Sequence, residues 1–275
     1  MLILRNIIDN EKESTYKFDI SGRETVDFVL KCINEHKEKY RLDTINVLDV
    51  GCGTGQLTRL IGADPRTKIL AFDIDDASLN LARTSSKNLY NINYINSSVE
   101  DFTSEEKYDI ILLTQVLDHI VDPTALIKKI RNYLCDNGKI IIGISNGYGP
   151  YEVSKKLFPK MKKKFFSKKS FKNSNIKKLQ LLPFTCNNNS PHIHKYSIPK
   201  LRKLLDDCGF KIVKLKKLTF LLPAFPFSIL FYNTSNRVSR FFERIDSSIA
   251  KLLPASFSSN WYLLCDKTSG DNLYE

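Results

Sequence analysis

Short apolar runs alternate with longer amphipathic stretches between residues 46 and 145. Runs rich in Val, Ile and Leu predict buried strands, whereas apolar residues spaced by three and four predict helices. The predicted strands are Asn46–Val50, Lys68–Asp73, Ile92–Ile95, Tyr108–Thr114 and Lys139–Ile144. Strands that alternate with helices at this spacing predict βαβ units and a parallel sheet covered by helices on both faces.

Helices are predicted between these strands and before the first of them. One carries Leu57, Leu60 and Ile61, and the next runs around Ala77–Arg83. A third begins near Pro123, because proline is favoured in a first helical turn, and ends before Asn137-Gly138. Near the N-terminus, Ser21-Gly-Arg-Glu24 opens a further helix.

The second half of the chain predicts one more helix, two more strands and an amphipathic stretch. The helix is Ser197–Cys208, and the strands are Phe210–Leu215 and Trp261–Cys265. Between the strands, one face of Leu218–Leu253 carries Val238, Phe241, Phe242, Ile245, Ile249 and Leu252. Packing in the core is the default interpretation of such a stripe, and a lid or a membrane-surface contact is the alternative.

The charge is divided unevenly along the chain. Residues 1–150 contain 18 Lys and Arg against 22 Asp and Glu, whereas residues 151–275 contain 24 against 8. Lys155–Lys178 alone holds eleven lysines and no acid. The second half is therefore expected to meet something anionic, with nucleic acid, an anionic membrane and a phosphorylated substrate all open. A solvated loop is the alternative for the lysine-rich segment.

The cysteines and the longest apolar run bear on the cellular compartment of the protein. The six cysteines form no C-x-x-C pair and have no His at metal-ligand spacing, which predicts a reduced, cytoplasmic protein. No signal peptide is predicted at the N-terminus. The longest apolar stretch, Leu218–Tyr232, is shorter than the roughly 20 residues that span a bilayer.

Three glycines lie two residues apart between the first predicted strand and the helix after it. They are Gly51, Gly53 and Gly55, and glycine lets the backbone turn sharply and approach a ligand closely. Asp49 precedes them, where a carboxylate suits a ligand with an ammonium group. Asp73 ends the next strand, where it can accept both hydroxyls of a ribose. A tight turn without a ligand and a helix N-cap at Asp73 are the alternatives.

The glycine loop and the segment that ends at Asp73 resemble two motifs of the class I S-adenosylmethionine-dependent methyltransferases. Two later segments resemble further motifs of that family, and all four occur in the family's order across residues 46–145. VLDVGCGTG is similar to the first motif of that family, and ILAFDID to its ribose-binding motif. Ser98-Val-Glu-Asp-Phe102 is similar to the loop that holds the adenine edge, and YDIILLTQVLDHIVDP to the fourth motif and following loop. The resemblance implies a doubly wound seven-stranded α/β sheet, a Rossmann-like methyltransferase fold with a C-terminal β-hairpin.

The resemblance also implies S-adenosylmethionine as the cofactor. The implied cofactor-binding residues are Asp49, Gly51, Cys52, Gly53, Thr54, Gly55, Asp73, Ile74, Ser98, Val99, Glu100, Asp101 and Thr114. Arg23 is added because an Arg in this region can pair with the cofactor's carboxylate; an exposed Arg on a helix is the alternative. For Glu100 and Asp101 a solvated loop is the alternative.

His119 is the candidate general base, because it follows the fourth strand and a hydroxyl acceptor benefits from a base. A scaffold role is the alternative. Some ubiquinone-pathway O-methyltransferases look as if they hold a divalent metal here with E-x-x-E-H, whereas this chain has Gln115-Val-Leu-Asp-His119. A hard cation favours charged oxygen ligands, so no metal is predicted. His192 and His194 are interpreted as loop histidines near the acceptor pocket.

The sequence therefore predicts a methyltransferase with three parts. Residues 1–45 form an N-terminal helical cap, residues 46–150 the S-adenosylmethionine-binding core, and residues 151–275 a basic insertion, the last strands and an acceptor-side lid. The C-terminal arrangement resembles bacterial methyltransferases of surface-glycan and secondary metabolism. The expected reaction is O-methylation of a small-molecule or glycan- or lipid-linked, anionic acceptor, with an anionic membrane as a further partner. A nucleic-acid methyltransferase and a non-catalytic membrane-peripheral protein are the alternatives; the first lacks an Asn/Asp-Pro-Pro-aromatic motif.

Overall fold

The computed structural model describes residues 20–150, 152–153, 193–220 and 236–268 of the chain. For residues 20–23, 236–240 and 243 the description covers the backbone alone. The lysine-rich segment Lys155–Lys178, His192 and the Arg23 side chain, all singled out in the sequence, lie outside what is described.

Seven strands form one mixed sheet. They are β1 (Ile45–Val50), β2 (Thr67–Asp73), β3 (Ile92–Asn96), β4 (Tyr108–Thr114), β5 (Leu134–Ser145), β6 (Phe210–Leu218) and β7 (Asn260–Lys267). Their order is β3-β2-β1-β4-β5-β7-β6, with β1 to β5 parallel and β7 antiparallel to both its neighbours. The predicted doubly wound sheet with a C-terminal hairpin is confirmed. We call the edge at which β1 to β5 end the carboxyl edge.

Six α-helices with described bounds accompany the sheet. They are α1 (Ile20–Tyr40), α2 (Gln56–Gly62), α3 (Asp76–Ser85), α4 (Pro123–Arg131), α5 (Ile198–Asp207) and α6 (Asn236–Leu252). Side-chain caps fix the start of two of them. The Asp122 carboxylate accepts from the Ala125 N–H in α4, and the Ser197 hydroxyl accepts from the Lys200 N–H in α5.

Each face of the sheet carries its own apolar core. Val26, Val29 and Ile33 of α1 and Leu57, Leu60 and Ile61 of α2 pack with Ile45 and Val47 on one face. On the other face, Leu126, Ile127 and Ile130 of α4 and Leu201 and Leu205 of α5 pack with Leu48, Ile111 and Trp261. The two sets alternate along β1, as a period of two requires. This layering holds the carboxyl edge of the strands in a fixed arrangement.

The prediction that the third helix ends before Asn137-Gly138 is wrong. Helix α4 ends at Arg131, and β5 already begins at Leu134. The pairing of β4 with β5 shifts from Tyr108–Leu134 to Ile110–Lys139, so the residues around Gly138 form an irregularity within β5. A Cβ on Gly138 would lie 2.9 Å from the Tyr108 carbonyl oxygen, so glycine serves this close backbone approach.

The apolar stripe of α6 does not pack in the core, contrary to the default interpretation. Phe241, Ile245, Ile249 and Leu252 are exposed, whereas Asp246, Ser247 and Ala250 of the same helix are buried. The helix is therefore turned with its polar and small residues inward, because hydrogen bonds described below hold that side. Among the described residues, no helix has the length and apolar character that crossing a membrane demands.

Candidate functional site

The glycine loop between β1 and α2 has the backbone conformation that its sequence predicts. The φ angles of Gly51, Gly53 and Gly55 are +68°, +53° and +69°, in the left-handed region that favours glycine. The loop is fastened to the next strand, since the N–H groups of Gly51 and Cys52 donate to the Phe72 carbonyl at 2.9 and 3.0 Å. Its shape is thus set by the sheet as well as by its own residues.

The surroundings of the three glycines differ. A Cβ on Gly51 would lie 2.7 Å from a methyl carbon of Val116, and a Cβ on Gly55 would lie 2.6 Å from the Tyr94 hydroxyl. A Cβ on Gly53 would meet nothing within 4 Å. Gly51 and Gly55 therefore permit close packing inside the protein, whereas Gly53 borders open space at the carboxyl edge.

Asp73 links the end of β2 to the glycine loop. Its Oδ2 accepts from the Gly53 N–H at 2.7 Å, and its Oδ1 accepts from the Asp75 N–H at 2.9 Å. The adjacent Ile74 side chain is 74% exposed. A carboxylate thus lies beside the loop, and the side chain that follows it in sequence is exposed and apolar.

Asp49 is a buried carboxylate beneath the loop. Its Oδ2 accepts from the hydroxyl of Thr58 on α2 at 2.6 Å, whereas its Oδ1 has no hydrogen-bond partner among the described residues. Burial raises the pKa of Asp49 to about 6. A buried carboxylate oxygen without a partner is costly, so this position favours a cationic or hydrogen-bonding ligand.

Cys52 and Thr54 complete the loop as half-buried side chains. Burial raises the pKa of the Cys52 thiol above its ordinary value, with Asp49 and Asp73 as further causes. The thiol therefore keeps its proton at neutral pH and is a packing group here rather than a nucleophile.

The loop after β3 is a self-contained turn. The Ser98 hydroxyl donates to Asp101 Oδ2 at 2.7 Å and accepts from the Asp101 N–H at 3.0 Å. Lys129 of α4 donates to the carbonyls of Val99 and Glu100, and the Phe102 ring stacks on Phe72 at 4.2 Å. The ring stacking and the two hydrogen bonds from Lys129 hold the turn in place. The Glu100 and Asp101 side chains are exposed.

Thr114 ends β4 at the carboxyl edge and is half-buried. The next residue, Gln115, has a φ of +58°, and its Oε1 accepts from the Ser145 hydroxyl at 2.9 Å. A non-glycine residue in this conformation is strained, which is frequent where a chain turns at a binding site. The turn brings the next residue, Val116, against Gly51 of the glycine loop.

His119 lies in the turn that follows, close to the buried carboxylate of Asp118. The distance from His119 Nε2 to Asp118 Oδ1 is 3.7 Å. The chain before α5 packs against this turn, because the N–H groups of Ile193 and His194 donate to the Asp118 carbonyl. The His194 Nε2 lies 3.2 Å from the Val121 carbonyl oxygen. His119 and His194 are thus attached to the same turn at the carboxyl edge.

Sequence reasoning overlooked three contributors to this site. Thr58 holds Asp49, Val116 supports the glycine loop, and Asn146 donates to the carbonyls of Ser256 and Ser258 ahead of β7. The sequence could have indicated Asn146, because it is a polar residue directly after an apolar strand. It could not have indicated Thr58 and Val116, because their roles depend on contacts between separate elements.

The residues present fit S-adenosylmethionine. Asp49 Oδ1 offers an acceptor for an ammonium group, Asp73 offers acceptors for ribose hydroxyls, and Gly53 leaves room beside both. Among the described residues, no group of three or more His, Cys, Asp or Glu side chains is arranged to hold a metal ion. The acceptors of Asp49 and Asp73 at the carboxyl edge suit an organic cofactor with cationic and hydroxyl groups.

Comparison with known proteins agrees with this fit. A family model described as "Methyltransferase domain" matches residues 23–215. The chain is 27% identical over 122 residues to a ubiquinone biosynthesis O-methyltransferase of Rickettsia akari (strain Hartford), covering 44% of this chain and 48% of that protein. It is 30% identical over 113 residues to malonyl-[acyl-carrier protein] O-methyltransferase 1 of Ilyobacter polytropus, covering 41% and 42%. The chain thus spans about half the length of the curated relatives it matches.

Solved structures of methyltransferases share this fold. The magnesium protoporphyrin IX methyltransferase of Synechocystis PCC 6803, with bound SAH, has a TM-score of 0.55 at 15% identity, covering 97% of this chain and 94% of that one. The plantazolicin methyltransferase BpumL, in complex with an analogue and SAH, has a TM-score of 0.56 at 14% identity, covering 98% and 90%. The chain belongs to the methyltransferase domain family and has the class I fold, whose cofactor is S-adenosylmethionine.

Proposed function

We propose that this chain O-methylates a small-molecule acceptor, either free or linked to a carrier, glycan or lipid. The observation that carries the proposal is the buried Asp49 Oδ1, which has no partner among the described residues and lies beneath a loop that is open at Gly53. An oxygen acceptor is favoured because the relatives named above are O-methyltransferases, one of them acting on a carrier-linked substrate.

Different residues of the chain bind different parts of the cofactor. When bound, S-adenosylmethionine supplies an electrophilic methyl group on a sulfonium sulfur. Asp49 pairs with the ammonium group, Asp73 accepts the ribose hydroxyls, and Ile74 presents an apolar face to the base. The Ser98–Asp101 turn borders the adenine edge, and Thr114 lies beside the methionine part. Much of the rate enhancement then comes from holding acceptor oxygen and methyl carbon in line.

His119 is the group we assign to the acceptor's proton. Its imidazole accepts the proton of the acceptor hydroxyl as the oxygen attacks, and the buried Asp118 carboxylate, 3.7 Å from Nε2, stabilises the resulting cation. The packing of residues 193 and 194 against the same turn keeps this pair in place.

Isothermal titration calorimetry with S-adenosylhomocysteine tests the cofactor half of the proposal. The acceptor half is tested with radiolabelled S-adenosylmethionine and a panel that contains a catechol, a malonyl-carrier thioester and a sugar. Binding of S-adenosylhomocysteine with label appearing on an acceptor oxygen is the expected result. Absence of binding contradicts the proposal, and label on nitrogen or nucleic acid contradicts the choice of acceptor.

Cofactor affinity should depend on pH through Asp49. The folded-state pKa of about 6 lies above the ordinary value of 3.8, so the folded chain binds more protons than the unfolded chain between these values. The free energy of unfolding should therefore fall as the pH rises through this window. S-adenosylhomocysteine, which stays cationic at its amino group, should bind about tenfold more tightly at about pH 7 than at about pH 5.

The Asp49→Asn variant is the control for this pH dependence. It keeps an acceptor for Thr58 but has no titrating group, so calorimetry should show weaker binding that changes little between the two pH values. Wild-type affinity that is flat with pH, together with unchanged affinity in the variant, would contradict the ammonium contact.

Replacement of His119 should separate a general base from a scaffold. His119→Ala is expected to lower kcat by about 100-fold or more while KM for S-adenosylmethionine changes little, because the proton acceptor is lost and the cofactor contacts remain. His194→Ala is the matched control, because His194 is hydrogen-bonded to the same turn from the chain before α5, and it should lower kcat far less. Equal losses in both variants would assign His119 a scaffold role.

A further inference from the structure

Helix α6 is attached to the protein by the side that is usually turned to water. Asp246, Ser247 and Ala250 are buried. Asp246 Oδ2 accepts from the Phe220 N–H at 2.8 Å just after β6, and the Ser247 hydroxyl donates to Glu24 of α1. These contacts to two separate elements fix the rotation of the helix about its own axis.

The opposite side of α6 presents an apolar stripe to the surroundings. Its described members and their exposed fractions are Phe241 61%, Phe242 39%, Ile245 41%, Ile249 40% and Leu252 87%. Phe241 and Leu252 are separated by eleven residues, or roughly 16 Å along the axis. The stripe is therefore long and straight, and it is an arrangement that soluble surfaces seldom expose without an occupant.

Basic residues lie on α6 itself and on the strand next to it. Arg244 is exposed on the same helix, and Lys251 is 53% exposed near its C-terminal end. Neighbouring β6 carries four lysines and no acid, namely Lys211, Lys214, Lys216 and Lys217. Lys214 pairs with Glu35, and Lys216 and Lys251 share Glu24, so the basic residues outnumber the acids they contact. The buried Asp246 is engaged by the Phe220 N–H, so it adds no exposed negative charge beside the stripe.

We propose that this stripe is an interfacial surface that binds anionic phospholipid. A helix with apolar residues on one side and Arg or Lys along its borders lies in the plane of a membrane interface, with its apolar side in the lipid. A second copy of this chain fits less well, because the exposed Arg244 and Lys251 of each helix would be brought together across a shared interface. Protein interfaces also tend to exclude lysine from their centres, whereas lipid phosphates attract it.

The position of α6 relates this surface to the candidate active site. Its anchor Phe220 follows the end of β6, and its C-terminal end leads through a 3-10 turn (Ala255–Phe257) into Asn260, which pairs with Ser145 at the end of β5. Both connections lie at the carboxyl edge. The connections to α6 therefore lie at the same edge of the sheet as Asp49 and Asp73, at the end formed by β5, β7 and β6, and the lipid contact itself does not depend on the proposed reaction.

Flotation of the full chain with extruded vesicles tests the proposal. Wild-type protein should bind vesicles of phosphatidylcholine with about one third phosphatidylglycerol, and binding should weaken between about 0.1 M and 0.5 M salt. The double variant Phe241→Ser/Leu252→Ser should bind at least about tenfold more weakly, because two apolar side chains no longer enter the lipid. Both residues are exposed, so circular dichroism and S-adenosylhomocysteine affinity should match the wild type.

The matched control replaces exposed apolar residues elsewhere. Leu81 and Tyr90 are 48% and 96% exposed, and Leu81→Ser/Tyr90→Ser should leave flotation unchanged. Three results would overturn the proposal: no flotation of the wild type, equal flotation on pure phosphatidylcholine, or full flotation of the Phe241→Ser/Leu252→Ser variant. The last result would assign lipid binding to the lysine-rich segment instead. A wild-type dimer that the double variant converts to a monomer would assign the stripe to self-association.

Discussion

Replacement of Asp73 by alanine should weaken S-adenosylhomocysteine binding by about 100-fold or more in calorimetry. The Asp73 carboxylate has two functions in the structure, since Oδ2 holds the Gly53 N–H and Oδ1 holds the Asp75 N–H, while further lone pairs remain for ribose hydroxyls. Each hydrogen bond to a charged group contributes about 1.5–3 kcal/mol. Loss of the carboxylate therefore removes ligand contacts and also releases the glycine loop.

Asp76→Ala is the control for this prediction. Asp76 begins α3 three residues further on, has an exposed side chain and pairs with Arg83 at 3.6 Å. Its removal should change the affinity by less than about twofold, because exposed ion pairs contribute little. If Asp73→Ala bound S-adenosylhomocysteine within about threefold of the wild type, the ribose assignment would be wrong.

A side chain at Gly53 should block the cofactor while sparing most of the fold. Gly53→Val is expected to lower the affinity for S-adenosylhomocysteine by about 100-fold, because its methyl groups would occupy the open space in front of the loop. The left-handed backbone at Gly53 adds a stability cost of about 1–2 kcal/mol for any side chain. Calorimetry gives the affinity, and thermal unfolding gives the stability.

Two further variants separate obstruction from backbone strain. Gly53→Ala has the same left-handed backbone with less bulk, so the affinity should decrease in the order Gly, Ala, Val, and the loss of stability should be larger for the β-branched Val than for Ala. Gly55→Ala should lower the stability more than the affinity for S-adenosylhomocysteine. Its Cβ would lie 2.6 Å from the Tyr94 hydroxyl and 2.8 Å from Ala82, inside the protein. Unchanged affinity in Gly53→Val would contradict a ligand at this loop.

The glycine loop and its acids could be predicted from sequence because their geometry is local. Gly51, Gly53 and Gly55 lie within five residues, and Asp73 is the last residue of β2, which pairs with β1 in register. Strand alternation alone brings the ends of β1 and β2 to the same edge. The partner of Asp49 could not be predicted in this way, because Thr58 reaches it only through the packing of α2 on the sheet.

The orientation of α6 shows where periodicity fails. The spacing of Phe241, Ile245 and Ile249 identified an amphipathic helix but could not tell which side would face the protein. That choice depends on Asp246 and Ser247, whose partners Phe220 and Glu24 are 26 and 223 residues away in sequence. The prediction of where α4 ends was wrong for a similar reason, since the irregularity at Gly138 arises from the pairing of β5 with β4.

The insertion of β7 between β5 and β6 has a consequence for the order in which the protein can fold. Within the described residues β6 pairs with β7 alone, and β7 is the last strand in sequence. During synthesis, β1 to β5 can therefore assemble while β6 still lacks its neighbour and exposes an unpaired, lysine-bordered edge. The sheet closes only when Asn260–Lys267 enters between two strands that are already present, which makes this final pairing a late and non-local event.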